Sequence, residues 1–389
     1  MSSRRQFIKS AGLASTVAAG LSGCLGSGDS GDGADSGDSG DSDGGGEGTQ
    51  TGTVEQGDDL ADELRVSIYG GAMGNAIEGT MLEGFQEEYG VEIVSGDFPS
   101  NWGLISKLQA GEVDLDVLIL DNTVVPTAHQ AGVMQKLRPE NIPNLERYTD
   151  RFDPRNAQWD PTEDGASYAP FQYFANGMTY NTEQFDNPTQ WDDMLTETAK
   201  GHAINASWIE RVTGIAGIDV GVDVSDLSTD TESKLDQIWN RVEEQNDYIF
   251  EWADTGGAIQ DAFASGTAYI GMMWYGRATT LRDEDDVPLD YIIPDEGTTM
   301  ATSGWGVSPT TDRRYTAEKF IDYTLSEQAQ YDYSEAIGYV PVTEMSELPE
   351  IVQENPDYQK RDSLEFFDGH ALMNHSSDWA KEFQQVIRQ

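Results

Sequence analysis

The run Leu115-Asp116-Val117-Leu118-Ile119-Leu120 is apolar at nearly every position. Such a strand cannot turn one face to water. It needs cover on both faces, as in a parallel sheet flanked by helices. Its surroundings supply that cover. Leu64-Arg65-Val66-Ser67-Ile68-Tyr69 reads as an earlier strand, ended by Gly70-Gly71. Residues 76–89 then show helical spacing, with Ile77, Met81, Leu82 and Phe85 on one face. Val91-Glu92-Ile93-Val94 is the next strand, and a helix carrying Trp102, Ile105 and Leu108 leads on to residue 115. This alternation is a βαβαβ unit. A second set follows, with strand 202–207, helices around 235–246 and 258–264, and strand 268–274. No sequence repeat links the two sets. The expected fold class is α/β, two doubly wound lobes whose strand C-termini face a shared cleft. With 389 residues the chain has room for two or three such units.

Charge narrows the function. The chain carries 23 Lys+Arg against 70 Asp+Glu, a net charge of −47. Phosphate is repelled by such a surface, which argues against nucleic acid and anionic headgroups as partners. The acidity is not confined to one tail, because 58 acids and 20 bases remain from Leu64 onward. An acidic shell over a whole body suits a protein hydrated in very high salt, where the Debye length falls to about 3 Å and self-repulsion is screened. The composition points to a halophilic, archaeal source. The single Cys makes no internal disulfide and no Cys-based zinc site. The four His residues, His129, His202, His370 and His375, are scattered, with no HExxH.

The N-terminus reads as an address. Ser3-Arg4-Arg5-Gln6-Phe7-Ile8-Lys9 resembles a twin-arginine export motif, followed by an apolar run, 11–21, too short to span a bilayer. Leu21-Ser22-Gly23-Cys24 resembles a lipobox, which implies a lipid on Cys24; an ordinary cleaved signal is the alternative. Residues 26–63 hold 12 acidic and no basic residues. The Gly/Ser/Asp-rich stretch 25–63 has little to bury, and reads as a disordered, self-repelling tether. The expected location is the outer face of the cell membrane.

Four stretches carry a family resemblance. They are Ser67-Ile68-Tyr69-Gly70-Gly71-Ala72 with Phe85-Gln86-Glu87-Glu88-Tyr89-Gly90-Val91; Asp116-Val117-Leu118-Ile119 with Ala131-Gly132-Val133-Met134-Gln135-Lys136-Leu137; the segment 264–276 ending Met272-Met273-Trp274-Tyr275-Gly276; and Gly304-Trp305-Gly306-Val307-Ser308-Pro309 with Ala336-Ile337-Gly338-Tyr339-Val340-Pro341. In order and spacing they resemble the spermidine/putrescine-binding proteins, and more widely the extracellular solute-binding proteins of ATP-driven importers. The resemblance implies a periplasmic-binding-protein-like fold with hinge segments between the lobes. Lobe 1 would be 64–172 plus 302–343, and lobe 2 would be 173–301 plus 344–389. It also implies a monomer with no cofactor, hinge closure on a small solute, and a permease as partner.

The resemblance implies a ligand set as well. Polyamine binders of this family use aromatic faces for methylenes and cations, and carboxylates for amines. By position Trp274 and Tyr339 match ligand-contacting aromatics, and Asp121, with Asn122 beside it, matches the tip of the third strand. Asp121-Asn122 also reads as the cap of a helix starting near Thr123. Tyr69, Gly70, Gly71, Tyr173, Trp208, Arg211, Tyr275, Arg277 and Trp305 complete the candidate set. Five of the family's positions depart. Aromatic contacts fall on Gly71 and Gly74, the amine-binding Asp falls on Gly304, and two carboxylates fall on Trp208 and Arg211. Glu210 or Asp121 would have to substitute. Arg211 and Arg277 bring guanidinium groups, which suit a carboxylate or phosphate; alternatively each is a surface ion pair. Gly70-Gly71 is either a close backbone approach to a ligand or a plain turn.

Rival readings remain. Gly256-Gly257 reads as a helix-entry turn, and without a Walker A sequence the chain is not expected to hydrolyse ATP. Asp285-Asp286, Asp192-Asp193 and Glu243-Glu244 offer paired carboxylates to a hydrolase but read as a solvated acidic surface. No G-x-S-x-G elbow is present. An organic anion, thiamine, or ferric iron held by Tyr168, Tyr173, Tyr275 and Tyr339 are alternatives within the receptor class. The expected function is capture of a small polar solute, of the polyamine-like class, without chemistry.

Overall fold

A computed structural model describes residues 59–98 and 100–388. The export motif, Cys24 and the tether up to residue 58 lie outside the described residues. Among the described residues twelve strands form two sheets: β1 Glu63–Ile68, β2 Glu92–Asp97, β3 Val117–Asp121, β4 Tyr168–Ala175, β5 Met178–Asn181, β6 Ala203–Ala206, β7 Ile249–Ala253, β8 Ile270–Met272, β9 Leu289–Ile292, β10 Thr298–Val307, β11 Val340–Pro341 and β12 Leu364–Phe366. The first sheet runs β11-β4-β10-β3-β1-β2, with β12 beside β10; the second runs β7-β6-β8-β5-β9. Strands β1, β2 and β3 are parallel, as are β6, β7 and β8. In the first sheet β10 returns antiparallel between β3 and β4. Every residue of β3, β4 and β10 is buried, the two-faced cover that the apolar run at 115–120 demands. No helix among the described residues is long and apolar enough to cross a membrane.

The expected elements appear with shifted ends. The helix expected from residue 76 starts at Ala72 and continues to Tyr89 through a π-turn, Ile77–Leu82. Gly71 caps its start at φ 77°, a conformation that a side chain disfavours. Asp121 precedes the turn Asn122–Val124 but makes no side-chain cap bond. The crossings between sheets also move. Pairing of β4 with β10 runs out to Ala175 and Met300, so 173–175 and 298–301 belong to the first sheet, not the second lobe. β12 adds Leu364–Phe366 to the first sheet as well. The helix Gly369–Val386 packs through Leu372, Trp379 and Phe383 against Val212, Ala216, Ile238 and Val242 of the second lobe's helices.

Two features pin the frame. In the first sheet Trp305 stacks on Phe171 at 4.8 Å and meets Phe320 edge-on at 5.2 Å. Beside it, Gly304 sits where the β10–β4 register shifts; a Cβ there would lie 2.5 Å from Ala169 O and 2.6 Å from Pro170 Cα. At the crossing, buried Asp357 accepts from Ala175 N at 2.9 Å and from the Tyr291 hydroxyl at 2.6 Å, joining β4 of one sheet to β9 of the other.

Three outcomes follow from these contacts. Gly304→Ala should destabilise the fold by about 1–3 kcal/mol through overpacking against β4, measured by denaturant unfolding. Burial raises Asp357 from 3.8 to about 7. The folded chain thus holds a proton that the unfolded chain loses, so this contribution to stability is full below about pH 4 and is lost as pH rises through about 7. Unfolding measured from pH 5 to 8 should show that slope, and Asp357→Asn should flatten it. Asp357→Ala should cost about 1–3 kcal/mol by stranding the Ala175 N–H.

Candidate ligand-binding cleft

The C-terminal ends of β1, β2 and β3 face those of β6, β7 and β8, and a cavity of about 390 Å³ lies between them. That volume is in the range of small-molecule sites, about 300–1,000 Å³. Each strand end hands over to a helix whose N-terminus borders the cavity: Asn101–Gln109 behind Ser100, Ile209–Asp219 behind Trp208, Gly256–Ala264 behind Thr255, and Tyr275–Asp283 behind Trp274. Their unpaired N–H groups give the walls a partial positive potential.

Aromatic rings form one side. Trp208 stacks on Trp274 with centroids 5.8 Å apart and planes 30° apart. Phe174 meets Trp274 edge-on at 6.4 Å and Tyr339 at 5.8 Å. Trp274 is fixed by its indole N–H, which donates to Asn176 Oδ1 at 3.2 Å. Asn176 in turn holds β10 through Thr299 Oγ1 at 2.8 Å, so the crossing segment orients the ring. Arg277 lies 5.6 Å over Trp274 and donates to Gln260 at 2.8 Å. Burial pushes Tyr339 up to about 12, so its phenol stays neutral.

A charged cluster forms the floor. Asp121, at the end of β3, accepts from Ser303 Oγ at 3.0 Å, Asn101 Nδ2 at 3.3 Å and Arg211 Nη2 at 3.4 Å. The Tyr69 hydroxyl lies 2.6 Å from Asn101 Oδ1 and 3.2 Å from Asp121 Oδ1. Arg211 stands in the first turn of helix Ile209–Asp219, so this ion pair joins a strand of the first sheet to a helix of the second lobe. Its guanidinium also lies 5.7 Å over Phe174. Burial raises the carboxyls of Asp121 and Glu210, each opposed by Arg211. Arg211 is 2 % exposed, and its Nε and Nη1 have no partner. An unpaired buried donor costs about 1–3 kcal/mol, more when charged.

Nine candidates line the cavity together: Tyr69, Gly70, Gly71, Asp121, Trp208, Arg211, Trp274, Arg277 and Tyr339. Four do not. Asn122 turns inward and accepts from Thr302 N at 2.8 Å. Tyr173 stacks on Phe152 at 4.8 Å, Tyr275 packs edge-on against Tyr291 at 5.6 Å, and Trp305 belongs to the sheet core. Of the four tyrosines weighed for iron only Tyr339 lines the cavity; Tyr168 is spent on Thr302 O at 2.9 Å. No cluster of His, Cys, Asp and Glu suited to a metal occurs among the described residues. Asp192, Glu243, Glu244, Asp285 and Asp286 are exposed and away from the cavity. Arg211 and Arg277 are not surface ion pairs but cleft residues. Gly304 admits no side chain, which accounts for the missing carboxylate there.

Sequence reasoning missed Phe174, Ser303, Asn101, Trp102, Asp97 and Thr255. Asn101, Trp102 and Thr255 open helices directly after strands, and that position alone marked them. Phe174 and Ser303 sit inside fully buried strands and carried no signal.

Comparison with known proteins agrees with this geometry. Residues 80–360 match the family described as bacterial extracellular solute-binding protein. The chain is similar to the spermidine/putrescine-binding periplasmic protein of Escherichia coli K12, 21% identical over 314 residues, covering 79% of this chain and 87% of that one. It is similar also to the gamma-aminobutyric acid-binding protein of Pseudomonas aeruginosa, 24% identical over 302 residues, covering 75% and 80%. Among solved structures, the spermidine/putrescine ABC transporter substrate-binding protein of Streptococcus pneumoniae superimposes with a TM-score of 0.69 at 19% identity, over 84% of this chain and all of that chain. With that fold, and a family match over most of its length, the chain belongs to the bacterial extracellular solute-binding protein family.

Proposed function

We propose that this chain is the capture subunit of an ABC importer, closing its interlobe cleft on a small amine-bearing solute of the polyamine-like class and presenting it to a membrane permease. The observation that carries this reading is the cavity itself: stacked Trp208 and Trp274, with Phe174 and Tyr339, beside the carboxylates of Glu210 and Asp97. Aromatic faces attract ammonium groups and cover methylenes, worth about 0.5–2 kcal/mol per cation–π contact. The relatives named for spermidine, putrescine and gamma-aminobutyric acid support an amine in the solute. Lobe 1 in this reading is 64–175 with 298–343 and β12, and lobe 2 is the rest of the folded body. A solute that contacts both lobes favours the closed form by its differential affinity, and that form reports occupancy to the permease.

The N-terminal sequence supports an exported, lipid-anchored protein. In this reading twin-arginine export delivers the folded body and Cys24 carries the lipid. The excess of 70 acids over 23 bases supports a halophilic, archaeal source. The reading includes no catalysis.

Two experiments test it. Trp274→Ala should lower affinity for the solute that co-purifies with the wild type, identified by mass spectrometry, by at least tenfold in calorimetry, with little change in circular dichroism; unchanged affinity would remove this ring from the site, and turnover of the solute would favour a hydrolase. Thermal unfolding in KCl from about 0.1 M to 3 M should show steep stabilisation as salt screens the acidic shell. A melting temperature independent of salt would contradict the halophilic reading.

A further inference from the structure

Arg211 is shut away from water at 2 % exposure, yet Nε and Nη1 have no acceptor. Its one ion pair, to Asp121, uses Nη2 alone. A guanidinium is planar and presents its N–H groups in forks that match a carboxylate. Asp121 meanwhile accepts from Ser303, Asn101 and Arg211, with the Tyr69 hydroxyl, shared with Asn101 Oδ1, at 3.2 Å. The carboxylate at the first lobe's strand tips is therefore already engaged, and the guanidinium paired with it keeps Nε and Nη1 without an acceptor. The helix starts behind Trp208 and Trp274 add positive potential at the same place. Glu210, next to Arg211, lines the cavity without an ion pair.

Resting on the receptor reading above, and narrowing its amine-bearing solute away from simple polyamines, we propose that the solute is an amino acid whose carboxylate accepts from the Nη1 or the Nε edge of Arg211, with Asp121 as the residue that positions that guanidinium. The ammonium end faces Glu210 and the Trp208–Trp274 rings. Closure brings Arg211 against Asp121 and out of water, so a solute without an anionic end leaves the closed state with a starved cation. The site thus selects against simple diamines through the same residue that joins the lobes.

The test is calorimetry in molar KCl with solutes of equal backbone length that differ only at their ends: a diamine, an ω-amino acid and a dicarboxylate, in three- to six-carbon series, for example putrescine, 4-aminobutyrate and succinate. The wild type should bind an amino acid of the series at least tenfold more tightly than its diamine and dicarboxylate counterparts. Arg211→Gln should weaken that binding about 100-fold, and Arg211→Lys, which keeps the charge without the fork, should fall between; the lysine variant decides if the glutamine variant does not fold. A diamine binding as tightly as the amino acid, or an Arg211→Gln chain that keeps its amino-acid affinity within threefold, would overturn the inference and leave the amine-receptor reading standing. Preference for the dicarboxylate, or no binding by any member, would overturn both.

Discussion

At the floor of the cleft one carboxylate gathers donors from four separate segments. Asn101 opens a helix after β2, Ser303 lies on β10, Tyr69 follows β1, and Arg211 comes from across the crevice. The first three fix Asp121 within its own lobe. Only the fourth, at 3.4 Å, spans the two lobes, and it does so with both groups nearly out of water. A buried ion pair of this kind is poor evidence of stability, since desolvation offsets much of the attraction. Its value is geometric. It places a guanidinium against the Phe174 ring of the aromatic wall.

The surrounding fold exists to hold that arrangement. Parallel strands end at the cleft, and each passes into a helix that begins there, so loops from both lobes converge without long excursions. The crossing is stiffened where it matters. Asn176 ties Trp274 to β10, and Asp357 ties β4 to β9. Elsewhere several basic residues are gathered into structural pairs. Arg65 and Arg313 neutralise buried Asp116, and Arg314 with Arg138 neutralises buried Glu318. Arg211 and Arg277 stand apart from that pattern in lining a cavity.

Much of the fold could be read from residue spacing. The apolar run at 115–120 announced a covered parallel strand, and the Gly70-Gly71 break located the first strand's end. The return strand β10 was legible only through resemblance, because Thr298–Val307 alternates small and large residues without a clear period. Crossing points were misplaced by a few residues, since strand length there is set by partners distant in sequence, Ala175 opposite Met300. In the cleft, residues at strand tips were found and residues with long-range roles were not. Tyr173 and Phe174 are neighbours on β4, and only pleat direction sends the second toward the cavity. The reading of Asp121 as a helix cap failed because its oxygens are engaged by Ser303 and Asn101 of its own lobe and by Arg211 across the cleft. Trp305 followed a family-like motif, yet its ring is committed to Phe171 and Phe320.

The most direct measurement is the distance between the lobes with and without solute. Spin labels at Glu112 and Glu284, exposed positions on the first and second lobes, would be read by pulsed EPR in a chain with Cys24 replaced. The account predicts a longer, broader distribution for the solute-free chain that shortens and narrows when the co-purified solute is returned. A distribution that is the same in both states would contradict a closing cleft and, with it, the account of how this chain recognises its cargo.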